Sequence, residues 1–158
     1  MSLHRFDEMG FDMYKQKVIF VCTGNSARSQ MAEGLLRHHA GDQFEVYSAG
    51  LEPKGVNPLS IRVMDEIGID IRGHTSDSIK KYMGHHHFSH AFTVCDDAEE
   101  KCPSVLWANG KKYHWSFEDP AAATGTEEER LAVFRRVRDE IDAKIREWLA
   151  QLPSQSEA

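Results

Sequence analysis

Residues 17–22, KVIFVC, hold four consecutive apolar side chains, Val18, Ile19, Phe20 and Val21. A short unbroken run of this kind is the pattern of a strand buried on both faces. Residues 91–95, AFTVC, repeat it. Two other segments alternate instead: 44–48, and 112–117 with Tyr113, Trp115 and Phe117 on one side. Alternation marks strands with one less covered face. Helical periods lie between them. One spans about 28–40. A second opens at Asn57-Pro58, carries Leu59, Ile61, Val63, Met64 and Ile67, and stops at Gly68. Residues 74–81 have room for a short helix. The last helix is capped by Thr126, has Glu127, Glu128 and Glu129 in its first turn, and repeats Phe134, Val137, Ile141, Ile145 and Trp148 at helical spacing.

Strands alternating with helices predict an α/β fold, a single-domain three-layer sandwich with a four-stranded parallel sheet. The unbroken strands belong in the centre and the alternating ones at the edges, giving order 2-1-3-4 with right-handed crossovers. Such sheets bind ligands beyond the carboxyl ends of their strands, where the winding reverses. The reversal falls between the strands ending at Cys22 and Cys95, and the fourth strand leads to Asp119. Residues 17–150 form the predicted catalytic domain. Residues 1–16 are an extension without clean periodicity, loosely held or partly helical, and 151–158 are a tail.

The chain has 158 residues, a formal charge of −6 and no long Lys/Arg run, which argues against nucleic acid or an anionic membrane as partner. No apolar stretch approaches the roughly 20 residues of a membrane span, and residues 1–16 lack an apolar signal core, so a cytoplasmic protein is expected. Three cysteines, Cys22, Cys95 and Cys102, are too few and odd for a secreted disulfide framework. They read as inert thiols or as redox or nucleophilic chemistry.

Cys22 and Arg28 bracket Thr23-Gly24-Asn25-Ser26-Ala27 between a strand and a helix. A loop there can turn its N–H groups inward and, with the helix N-terminus, hold a tetrahedral anion such as phosphate. Gly24 can take positive φ, and Asn25 tolerates it. Arg28 suits two anion oxygens. The positive surroundings favour the attacking thiolate of Cys22, and the Ser29 hydroxyl is placed to steady it. A buried structural cysteine before an exposed arginine is the plainer alternative, which the strand–turn–helix setting disfavours. No Gly-Lys-Ser/Thr ending is present, which argues against a nucleotide triphosphatase.

The segment VCTGNSARSQMAEG (21–34) resembles the arsenate reductases of the low-molecular-weight protein tyrosine phosphatase superfamily. The similarity continues through VYSAG (46–50), GVNP (55–58), HTSD (74–77), VCDDAEEKCP (94–103), HWSFEDPA (114–121) and VRDEI (137–141). The resemblance implies a relay. Cys22 attacks arsenate, Cys95 attacks Cys22 and arsenite leaves, and Cys102 closes a disulfide with Cys95 that thioredoxin, or glutaredoxin, reduces. It also implies Asp119 as general acid, a monomer, no tightly bound cofactor, and, as in some members, a potassium site at Asn25, Glu33, Ser48 and Asp77. Hydrogen bonds bracing the loop are the other reading of those four.

By spacing alone, Cys95 and Cys102 in one helix would lie about 10.5 Å apart along its axis. A disulfide needs Cα atoms about 4.4–6.8 Å apart. They are therefore two separate thiols, or a pair that joins only when the helix unwinds. Asp119-Pro120 taken alone reads rather as a plain loop, and it is the resemblance that makes Asp119 the general acid. His85, His86, His87 and His90 read as a solvated loop rather than a metal site, and Trp115 and Phe117 as core. The sequence departs from many relatives at Ala27, where a second loop cysteine is common. A phosphotyrosine phosphatase using the same Cys22 is the main alternative, opposed by Ala121, Ala122 and Ala123 where aromatics would line the cleft. A non-enzymatic oxyanion-binding or redox-sensing module is the second.

Overall fold

The computed structural model describes residues 15–84, 86–108 and 110–153. The partial helix considered for 1–16 falls largely outside them, as does His85. The elements are β1 (Gln16–Cys22), α1 (Arg28–Ala40), β2 (Phe44–Gly50), α2 (Pro58–Asp65), β3 (His90–Thr93), α3 (Asp96–Lys101), β4 (Lys111–His114) and α4 (Glu127–Gln151). The strands form one parallel sheet in the order β2-β1-β3-β4. The unbroken runs occupy the centre because both faces of β1 and β3 are covered: Val18, Ile19, Phe20, Val21, Ala91 and Phe92 are fully buried.

The two faces are covered differently. On one, Phe44, His90, Phe92 and Tyr113 meet Trp148 of α4, with Trp115 packed at a tilt against Phe20 and Phe92. Helix α1 is tied to α4 there by His39 and Asp142 at 2.6 Å. On the other, Tyr47 packs on Tyr82 and Phe88. Trp115 is thus core, as expected. His86 joins the Tyr47–Tyr82–Phe88 aromatics and His90 lies in β3 under Trp148, so these histidines serve packing. Burial, helped by Lys111, holds His90 below the ordinary imidazole range.

Several boundaries differ from expectation. The expected helix over 74–81 is only a 3₁₀ turn at Ile79–Lys81. Strand β3 stops at Thr93, because Cys95 already caps α3. Strand β4 ends at His114, three residues short of the expected end, and β2 runs on to Gly50. Helix α2 ends at Asp65, and Gly68 at φ 80° turns the chain back. Ile67 is exposed, and Ile69 and Ile71 take the core place it was expected to fill. They pack with Met64 where Gly34 of α1 has no side chain; a Cβ there would lie 2.9 Å from Ile71 Cγ2. Thr126 caps α4 as the sequence predicts, and the structure adds the return bond from Thr126 N to Glu129 Oε1 that completes a capping box. Among the described residues no helix is long and apolar enough to cross a membrane.

Candidate active site

Cys22 ends β1 and is only 2% exposed. The loop after it owes its shape to where its carbonyls go. The Cys22, Thr23, Gly24 and Ser26 carbonyls accept from the N–H groups of Leu51, Glu52, Lys54 and Asn57 at 2.8–3.1 Å. The Asn25 carbonyl accepts from Gln30 Nε2 at 3.1 Å and Ser76 Oγ at 2.9 Å. With every carbonyl from Cys22 to Ser26 held on the outside, the loop's N–H groups are left to face inward. The Asn25 N–H donates to Cys22 Sγ at 3.2 Å. Ala27, the capping position of α1, offers no side-chain acceptor to the first turn. Those orphan N–H groups and the helix dipole are the parts of an anion site.

Asn25, not Gly24, takes the left-handed conformation, at φ 45°. Its side chain repays the strain: Oδ1 accepts from Asp77 N (2.7 Å), and Nδ2 donates to Ser29 Oγ (2.8 Å) and Ser48 Oγ (2.9 Å). A glycine could not make these bonds. Ser29 Oγ accepts from Asn25 Nδ2 and lies 2.9 Å from Cys22 Sγ, where its proton is placed to meet a thiolate. Gly50 fits under the loop only because it lacks a side chain: a Cβ would come within 2.7 Å of the Thr23 carbonyl and 2.8 Å of Asn25 N.

Arg28 and Asp119 meet at the mouth. Arg28 Nη1 donates to the Phe117 carbonyl at 3.1 Å, and Nη2 lies 3.7 Å from Asp119 Oδ2. Asp119 is extended before Pro120 and accepts from Ala121 N at 3.0 Å, which fixes the carboxylate while leaving the side chain 46% exposed. Cys95 is buried, its sulfur accepting from Ala98 N at 3.4 Å as the cap of α3. Thr23 Oγ1 lies 3.4 Å from that sulfur and donates to Asp97 Oδ2 at 3.2 Å. The residue beside Cys22 therefore touches Cys95. Cys102 closes the far end of α3, its thiol pushed up to about 11 by burial. All three thiols are free.

Asn25, Ser48, Glu33 and Asp77 join one chain of hydrogen bonds, the bracing arrangement, with Ser48 donating to Glu33 Oε1 at 2.6 Å. Glu33, Ser48 and Asp77 also border a recess of about 290 Å³. Arg37 donates to Glu33 there at 2.6 Å, and Lys81 Nζ lies 3.4 Å from Asp77 Oδ1. The oxygens suit a hard cation, but one held there would have to compete with Arg37 for Glu33. His74 bonds Gln30 Oε1 at 2.9 Å and is held below its ordinary range chiefly by burial. Gln30, Gly50, Ser76 and the 51–57 segment escaped the sequence reading. They act across the fold, Gly50 and 51–57 through their backbone and Gln30 and Ser76 through side-chain donors; Gln30, one turn behind the loop, was the one local signal.

Residues 17–158 match the model of the low molecular weight phosphotyrosine protein phosphatase family. The chain is 50% identical over 137 residues to an arsenate reductase of Shouchella clausii, covering 86% of this chain and 96% of that one. It is 47% identical over 136 residues to an arsenate reductase of Bacillus subtilis, with the same coverage. A solved arsenate reductase in the phosphate-binding state superposes with a TM-score of 0.73 at 33% identity, covering 87% of this chain and 99% of that one. The fold, the Cys22 loop and these similarities agree: the chain belongs to the low molecular weight phosphotyrosine protein phosphatase family and, within it, is similar to the arsenate reductases.

Proposed function

We propose that this chain reduces arsenate to arsenite in the cytoplasm through Cys22, Cys95 and Cys102, with a thioredoxin-type dithiol as electron donor. The observation that carries the reading is the Thr23 bridge, which brings Cys95, the cap of α3, against the loop that holds Cys22, with Cys102 at the other end of the same helix. The similarity to arsenate reductases supplies the substrate.

Arsenate enters the loop, its oxygens taken by the inward N–H groups and by Arg28, which leaves Asp119 and the Phe117 carbonyl. The Cys22 thiolate attacks arsenic, forming an S–As bond, and Asp119 protonates the departing oxygen so that water leaves. The Cys95 thiolate then attacks Cys22 Sγ. A Cys22–Cys95 disulfide forms, the S–As bond breaks, and its electron pair stays on arsenic, which leaves as arsenite. Cys102 attacks Cys95 Sγ and expels Cys22 as thiolate, so two thiols have supplied the two electrons. The dithiol donor reduces the Cys95–Cys102 disulfide. A potassium ion bracing the loop from the Glu33–Ser48–Asp77 recess is part of this proposal, and the catalytic unit is a monomer.

The same loop, Arg28 and Asp119 are sufficient for hydrolysing a phosphate ester, so slow aryl phosphate hydrolysis accompanies the reductase. Ala121 and Ala122, both exposed, offer a phosphotyrosine ring nothing to stack on. The test is arsenate-dependent NADPH oxidation with thioredoxin and thioredoxin reductase, beside aryl phosphate hydrolysis by the same sample. Rapid oxidation with slow hydrolysis is expected. Hydrolysis without oxidation, repeated with glutaredoxin and glutathione, would make the chain a phosphatase.

A further inference from the structure

Helix α3 has six residues, too short to hold itself wound in water. Its winding depends on what it touches. Ala98 is buried beneath it. Beyond that, its acids reach a polar group on the sheet face it covers. Thr93 Oγ1 of β3 donates to Glu99 Oε2 at 2.7 Å, and the Lys112 ammonium of β4 pairs with Glu99 Oε1. His114, at the end of β4, spans both ends of the group. Its Nδ1 lies 3.0 Å from Thr93 Oγ1 and 3.3 Å from Glu99 Oε2, and its Nε2 lies 3.0 Å from Asp96 Oδ1. Ser116 Oγ also donates to Asp96 Oδ1, at 3.1 Å. The relay proposed above uses none of these sheet residues.

We propose that Thr93, Lys112 and His114 form a latch that holds α3 wound, and that His114 is a positioning residue setting how readily Cys102 reaches Cys95. The inference rests on the relay reading. With α3 wound, Cys102 N donates to the Ala98 carbonyl at 2.9 Å and Glu99 N to the Cys95 carbonyl at 3.1 Å. A Cys95–Cys102 disulfide requires both bonds to break, because its Cα atoms must approach to about 4.4–6.8 Å. Every latch contact therefore stabilises the dithiol and not the disulfide. Burial keeps the Cys102 thiol protonated, so the opening that brings it to Cys95 also returns it to water, where it ionises more readily. The latch residues sit on β3 and β4 and bond α3 rather than the Cys22 loop, whose own tie to α3 runs through Thr23 and Asp97, so the carbonyl contacts that shape the anion site do not pass through the latch.

The test is a redox titration of Cys95 and Cys102 in the full chain carrying Cys22→Ser, against glutathione and its disulfide, read by alkylation and mass. Glutathione disulfide takes the two electrons and leaves as two glutathione thiols. His114→Ala should raise the disulfide-to-dithiol ratio at a fixed buffer about tenfold, the worth of one charge-assisted hydrogen bond. It should speed hydrogen exchange at the Glu99 and Cys102 amides by a similar factor. His114→Gln, which keeps a donor toward Asp96, should fall between. In the chain retaining Cys22, His114→Ala should hydrolyse aryl phosphate at the unmodified rate, showing that the fold and loop are intact. If that variant does not fold, Lys112→Met carries the same expectation with a shift of about threefold. An unchanged ratio and unchanged exchange in a folded variant would overturn the latch. The relay is tested separately: if the chain with all three cysteines shows no Cys95–Cys102 disulfide after one arsenate turnover, the relay fails; if the disulfide forms but the ratio does not move, only the latch fails.

Discussion

The Cys22 loop and the Cys95–Cys102 segment sit side by side, joined through Thr23, and are built on opposite plans. In the loop, every carbonyl from Cys22 to Ser26 is held by a group outside it, and buried Asn25 locks the one left-handed turn with three side-chain bonds. Nothing there can move without stranding buried polar groups, each costing about 1–3 kcal/mol. The segment 95–102 is a single short helix held largely by its acids near the surface, Asp96 and Glu100 exposed and Asp97 and Glu99 half-buried. Its bonds can be traded for water at small cost. A preorganised oxyanion site needs the first plan, and a thiol carrier that must change shape needs the second.

Substitutions separate the two plans. The largest effect is expected at Cys22: Cys22→Ser should abolish both arsenate-dependent NADPH oxidation and aryl phosphate hydrolysis, since both begin at the same sulfur. Cys102→Ser should split them, allowing one arsenate turnover at most with thioredoxin while the hydrolysis persists; steady turnover of that variant would contradict the relay. Asp119→Asn should lower aryl phosphate hydrolysis about 10²–10⁴-fold, the usual worth of a general acid, with binding of phosphate much less affected.

Gly50→Ala attacks the rigid region from behind. The added Cβ meets the backbone of Thr23 and Asn25, so urea denaturation should show a loss of about 1–3 kcal/mol, and both activities should fall together. The smallest effect is one of pH. His74 and His90 are held below the free-imidazole value of 6.5, so the unfolded chain binds more protons than the folded one once the pH falls through that value. Stability contributed by their neutral forms is complete above about pH 6.5 and is lost on acidification toward their lower folded values. Urea midpoints at pH 7.5 and 5.5 should show the decline, and His74→Gln should make it shallower.

Much of this was legible in the chain. The unbroken KVIFVC and AFTVC runs can be satisfied only in the centre of a sheet, so strand order followed from pattern, and the order brought Cys22, Cys95 and Asp119 to one edge. Local chemistry was legible too: Thr126 at the start of α4, Asn57 before Pro58, and the Cys22–Arg28 spacing around a strand–helix turn. The strand ends were less so. Cys95 reads as the last residue of an apolar run, yet its sulfur caps α3, because a cap bond to Ala98 satisfies a helix donor that another sheet position would leave open.

What the sequence determined by itself is whatever depends on neighbours a few residues apart: the periods, the caps, the nucleophile and its arginine. Only the tertiary structure decided which residues serve the loop from a distance. Gly50 is required because the backbone of Thr23 and Asn25 passes so close that a Cβ would lie 2.7 Å from the Thr23 carbonyl and 2.8 Å from Asn25 N. His114 reads as one polar position in an alternating strand, and becomes a partner of α3 because parallel pairing sets it beside Thr93. Contacts of that kind are created by register and packing, and no local pattern encodes them.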